Sequence, residues 1–150
     1  MPTTVTTQDL LDAMADQIRD AIDDVTDIDV QVEPYWVADP SPPTIDMYAG
    51  DVARGSDFAA FGIRGEHVFT VRVRVPGNDS VANQALLNAF MDDVDPLSIG
   101  TALTDEPTLG GIAATLDIPE GSVTGLVMYQ YGNEVLPGRQ MTVNVVRADS

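Results

Sequence analysis

Between His67 and Val75 the chain alternates without a break, with Phe69, Val71, Val73 and Val75 on one side and Thr70, Arg72 and Arg74 on the other. Successive side chains of an extended backbone point to opposite faces, so this run predicts a strand with an apolar face against a core and a polar face turned outward. Any fold open to the chain must lay a second layer over that apolar face. Two segments have the pattern to supply it. Val5, Thr6, Asp9 and Leu10 stand where a helix start places its staple residue, N-cap, capping-box partner and staple acceptor. The helix they open is expected from about residue 7 to 25, burying Leu10, Leu11, Met14, Ile18, Ala21, Ile22 and Val25. A second helix follows the Pro76-Gly77-Asn78-Asp79 turn, capped by Asp79 or Ser80. It carries Leu86, Leu87, Phe90, Met91 and Val94 as its buried stripe and stops before Pro96.

The remaining strands are read in the same way. Ile28, Val30 and Val32 alternate with Asp29, Gln31 and Glu33 until Pro34 ends the run, and Pro40, Pro42 and Pro43 stiffen the connection that follows. Thr44 to Tyr48 is the next strand. Gly50 to Gly65 is a long loop, and residues 97 to 120 are punctuated by Gly and Pro with one helical turn at Leu97 to Leu103. Val123 to Tyr131 and Arg139 to Arg147 close the chain as a hairpin with an irregular turn through Gly132-Asn133 and Pro137-Gly138. The sum is an α+β fold: one domain over residues 1–150, a mostly antiparallel sheet, and two main helices packed on one face.

Charge narrows the partners. Of 24 acidic residues 19 are Asp, against 7 basic residues that are all Arg, for a net charge of -17. A nucleic-acid binder must replace counterions with its own cations, so direct nucleic-acid binding is not expected. The acidity serves solubility, and would also suit a high-salt host. There is no cysteine, which removes disulfides, thiolate metal sites and cysteine nucleophiles. No apolar run reaches the length of a membrane span, and the N-terminus lacks the basic start and apolar core of a signal peptide. The expectation is cytoplasmic synthesis with no membrane partner.

Chemistry has few residues to use. His67 is the single histidine and starts a strand, where a structural role is the ordinary one; no Gly-x-Ser-x-Gly elbow and no phosphate-cradling Gly motif accompany it. Asp23-Asp24 and Asp92-Asp93 with Asp95 are dense enough to attract hard cations but lack EF-hand spacing, and solvated helix ends explain them. No catalytic residue, metal or cofactor is expected.

What is left is surface suited to contact. Arg54, Phe58, Phe61 and Arg64 combine apolar anchors with positive charge in the long loop, although the phenylalanines could equally complete the core. Tyr35 and Trp36 offer the same choice between core and interface. Arg72 and Arg74 on the outward strand face match, in sign, the Asp12, Asp16 and Asp20 ladder on the first helix, a pairing that would join one copy head-to-tail to the next. Edge protection and a solvated helix face are the plainer readings of those two sets.

The chain's last third opens on Pro107-Thr108-Leu109-Gly110-Gly111, passes through a short apolar segment to Ile118, and ends on Gly138-Arg139-Gln140-Met141-Thr142-Val143-Asn144-Val145-Val146. In this, and in the order of its earlier elements, the chain resembles the tail terminator (tail completion) proteins of long-tailed phages. The resemblance implies a virion structural protein rather than an enzyme: a hexameric ring at the head-proximal end of the tail tube. Such a ring ends polymerisation of the major tail tube protein and provides the docking surface for the head-completion or neck protein. A neck connector subunit at the same junction is the close alternative, and a carboxylate-based, metal-dependent enzyme the distant one. The Asp excess and the length of the Gly50 to Gly65 loop lie outside the resemblance.

Overall fold

The computed structural model describes residues 5–50, 66–77 and 80–148, so Arg54, Phe58, Phe61 and Arg64 lie outside the described residues. The elements run α1 (Thr7–Asp23), β1 (Gln31–Glu33), β2 (Thr44–Ala49), β3 (Glu66–Arg74), α2 (Ser80–Met91), α3 (Ile99–Asp105), β4 (Ala113–Asp117), β5 (Val127–Tyr131) and β6 (Glu134–Arg147), with one 3-10 turn at Leu109–Gly111. The strands form a single sheet ordered β1-β2-β3-β6-β4, with β5 paired to the first part of β6. Only the β1–β2 pair is parallel; the others are antiparallel. This is the α+β architecture expected, with a third helix added.

The alternation in β3 decides which way the sheet faces. Phe69, Val71 and Val73 share a sheet face with Ile45 and Met47 of β2 and with Met141, Val143 and Val145 of β6, and all are buried beneath the helices. From α1 come Leu10, Leu11, Met14, Ile18 and Ile22, from α2 Leu87 and Phe90, from α3 Ile99 and Leu103. Each large apolar side chain so enclosed contributes about 1.5–3 kcal/mol. The α1 start is as expected: Thr6 Oγ1 accepts from the Asp9 amide at 3.1 Å, and Asp9 accepts from the Thr6 amide at 2.9 Å.

Several boundaries differ from the sequence reading, each for a local reason. α1 ends at Asp23, two residues before Val25 could join its stripe, and Val25 and Ile28 are exposed. Val94 is likewise exposed because α2 stops at Met91. The single turn expected at Leu97 to Leu103 is a full short helix, capped by Ser98, whose Oγ accepts from the Thr101 amide at 3.1 Å. In the hairpin, Gly132-Asn133 alone makes the turn, with Gly132 at φ 58°, and β6 runs straight through Pro137-Gly138. Pro137 joins the sheet through its carbonyl alone, which accepts from the Val75 amide at 2.9 Å. Gly138 is in the strand because a Cβ at that position would lie 2.5 Å from the Tyr129 ring and from the Val73 carbonyl oxygen.

Candidate functional site

The sheet face turned away from the helices holds the group of side chains least expected from residue type alone. In β2 the residues alternating with Ile45 and Met47 are Thr44, Asp46 and Tyr48; in β3 they are Thr70, Arg72 and Arg74. Register places Asp46 directly beside Arg72 and Thr44 beside Arg74. Asp46 is 0% exposed, Arg72 7% and Arg74 5%. A buried ion needs partners for every lone pair and proton it brings, and here the carboxylate has four. Arg72 donates from Nε to Oδ1 at 3.0 Å and from Nη2 to Oδ2 at 2.5 Å, the two-pronged geometry a guanidinium favours. Arg74 Nη2 donates to Oδ2 at 3.2 Å, and the Val37 amide donates to the same oxygen at 2.9 Å.

That last bond shows what shields this face. The Pro-rich connection between β1 and β2 folds back across it, with Val37 buried and its carbonyl accepting from Arg74 Nη2 at 3.0 Å. Trp36, next in the chain, puts its ring 5.8 Å from the Arg72 guanidinium carbon while itself 56% exposed. Tyr48 lies at 5.8 Å and Tyr129 at 5.2 Å from the same carbon, so three aromatic rings surround one cation. Tyr129 is held in turn by its hydroxyl, which donates to Gln140 Oε1 at 3.1 Å, and Gln140 sits beside Arg72 on β6. The hydroxyl of Tyr131 donates to Asp39 Oδ1, tying the hairpin tip to the same connection.

One carboxylate faces two guanidiniums, which leaves a formal positive charge inside a chain of net charge -17. The two cations respond in opposite directions. Burial pulls Arg72 down, but its hydrogen bonds to Asp46 and that group's charge outweigh it, and the net shift is upward. Burial also pulls Arg74 down, and repulsion from Arg72 adds to it, so Arg74 ends below the usual arginine range. Burial raises Tyr129, with Arg72 opposing. Arg72 therefore holds the carboxylate, with Arg74 as the weaker partner, and Arg74 Nε has no acceptor among the described residues.

The positions named from sequence divide clearly. Arg72 and Arg74 do come together, but as buried partners of Asp46 in their own chain, which corrects the expectation of an outward, solvent-facing pair. The reason is the β1–β2 connection, which covers a face that alternation alone marks as open. Asp12, Asp16 and Asp20 are exposed along α1, with Asp16 2.8 Å from Arg19 and Asp12 accepting from Gln8 Nε2 at 2.9 Å. They do not approach the arginines of β3 within one chain. Asp46 was missed; the polar alternation of Thr44, Asp46 and Tyr48 within its strand is the signal that marks it.

Elsewhere, Asp92 and Asp95 accept from the Val94 and Leu97 amides at 3.0 and 2.9 Å, closing the turn between α2 and α3. No three His, Cys, Asp or Glu side chains converge on a common point among the described residues. A shallow cavity of about 240 Å³ lies between α2, α3 and β6, lined by Met91, Gly100, Ile118, Val123 and Met141 among others. His67 is buried beside Phe69, their rings parallel and 5.7 Å apart. Burial, with a smaller push from Arg147, holds it below the usual histidine range. No helix among the described residues is long and apolar enough to cross a membrane. No protein-family model matches the chain, and no curated protein matches it in sequence.

Proposed function

We propose that this chain is a structural subunit of the tail-terminator kind, which forms a hexameric ring at the head-proximal end of a phage tail tube and ends tube growth. The observation that carries the reading is how the molecule divides its polar and apolar groups. Its concentrated charge chemistry, Asp46 with Arg72 and Arg74, is buried and spent on binding the β1–β2 connection to the sheet. Large apolar residues are exposed instead, among them Tyr35 and Trp36 on that connection and Leu126, Val127, Met128 and Val135 at the β5–β6 hairpin. Exposed aromatic and aliphatic anchors on a braced scaffold suit contact with other proteins.

On this reading the ring ends the tube by presenting to the last tube ring a face that binds it, and to the head a face that no further tube subunit accepts. The major tail tube protein and a head-completion or neck protein are then its partners, and the virion's head–tail junction its location. A neck connector subunit uses the same surfaces toward the portal side and is the second reading. Light scattering on the purified protein, at moderate and high salt, with and without its tail tube protein, tests the proposal. A hexamer, or a smaller species that becomes a ring on meeting the tube, supports it. A monomer that ignores the tube protein under both conditions overturns it.

A further inference from the structure

The cavity of about 240 Å³ between α2, α3 and β6 has apolar walls and an acidic rim. Met91 and Met141 wall it from α2 and β6, and Ile118 and Val123 from the chain that follows β4. Gly100 keeps it roomy, since a Cβ there would stand 3.4 Å from Ile118 Cδ1. Thr101 and Thr104 also line it, but their hydroxyls donate to the Asp93 carbonyl at 3.1 Å and the Gly100 carbonyl at 2.8 Å. The charged groups at its rim are the exposed carboxylates of Asp92 and Asp93. The Val94 amide, and after it Asp93, hold Asp92 below the usual carboxylate range, so it is ionised at neutral pH.

We infer that this cavity takes a lysine side chain of a partner protein, its alkyl stem against Met91, Ile118, Val123 and Met141 and its ammonium at Asp92 and Asp93. The volume is below the roughly 300–1,000 Å³ of drug-sized ligand sites, which suits one side chain better than a cofactor. A lysine stem buries along apolar surface while its charged head stays at the rim. The described residues bring no cation of their own to that rim. Arg19 is on Asp16, Arg72 and Arg74 on Asp46, Arg139 on the Thr124 carbonyl and Asn88 Oδ1, and Arg147 on the Val5 carbonyl. An ammonium is compact, with three donors to share between two neighbouring carboxylates, whereas a guanidinium fork fits one, as Arg72 fits Asp46. The chain contains no lysine, so a second copy cannot supply it. The inference rests on the assembly reading, in which the partner is the tail tube protein, and deepens it by naming the side chain that partner inserts.

The test is an NMR titration of protein carrying carbon-13 at its methionine methyls, with n-butylammonium as the lysine probe and n-butanol and n-butylguanidinium beside it. The Met91 and Met141 signals should move saturably, with a dissociation constant about tenfold or more lower for butylammonium than for butanol. Asp92→Asn combined with Asp93→Asn should raise that constant about tenfold or more, with the denaturation midpoint held, because Asn keeps an oxygen for the Val94 amide. Tube protein should move the same two signals, and the double variant should bind it about tenfold or more weakly. Signals that ignore butylammonium, or answer butanol equally well, overturn the inference and leave the ring standing. Tighter binding of butylguanidinium overturns lysine in favour of an arginine. Butylammonium binding beside tube association that the double variant leaves unaltered overturns the partner's side chain in favour of a free amine. Selective butylammonium binding by a protein that never meets tubes supports the pocket and overturns the ring.

Discussion

Arg72 grips Asp46 with two parallel hydrogen bonds, at 3.0 and 2.5 Å, on a sheet face from which both are almost wholly withdrawn from water. Removing one member of such a pair leaves the other buried and uncompensated, which costs about 3–5 kcal/mol. Asp46→Asn strands two guanidiniums and is expected in that range by urea denaturation. Arg74→Leu removes only the 3.2 Å bond and the link to the Val37 carbonyl. It should cost clearly less than Arg72→Leu.

Trp36 is the chain's only tryptophan and lies against the Arg72 guanidinium while half open to solvent. Its emission should therefore shift in Arg72→Leu even under conditions where that variant is folded. An exposed cation–π contact is worth about 0.5–1 kcal/mol. Trp36→Ala should lose no more than this in stability, so a larger effect of that variant on association with tube protein would come from contact rather than folding.

Gly138 faces the Tyr129 ring and the Val73 carbonyl, each 2.5 Å from where a Cβ would stand. The ring can shift, but the backbone oxygen of a paired strand cannot do so cheaply. Gly138→Ala is expected to destabilise the fold by about 1–3 kcal/mol, the usual cost of overpacking, read as a lower denaturation midpoint with unchanged slope.

His67 is buried with neither ring nitrogen bonded among the described residues, and its pKa lies below the ordinary value of 6.5. As pH falls below 6.5 the unfolded chain takes up a proton that the folded chain resists. Stability from this group is thus complete above that pH and is lost progressively as pH falls toward the lower, folded value. His67→Phe keeps the stacking on Phe69 and removes the titration. The variant should be about 1 kcal/mol more stable, the order of relief expected on removing unsatisfied buried polar atoms. Its stability should also vary less than the parent's between pH 6.5 and 5. Equal pH profiles for the two proteins would contradict this account of His67.

Periodicity carried the layers of this fold but not its coverings. The stripes of α1 and α2 and the alternation of β3 are local patterns, and the structure keeps them as far as Ile22 and Met91, where the helices near their ends, leaving out Val25 and Val94. Whether Arg72 and Arg74 face water depends on where a ten-residue, Pro-rich connection travels, which no pattern within β3 encodes. Asp46 belongs to the site only through register, a relation between strands distant in sequence. Pro137-Gly138 misled for a related reason: it has the composition of a turn, yet Gly138 is there to admit the Tyr129 ring from the neighbouring strand.

The central claim is that this protein ends tube growth, and the most direct measurement is the length of tubes polymerised from its tail tube protein in its presence, by negative-stain electron microscopy. The account expects tubes that stop growing with a ring seated on one end, and a length distribution that shortens as more protein is added. Tubes that reach the same lengths with and without it, and carry no ring at either end, would contradict the claim.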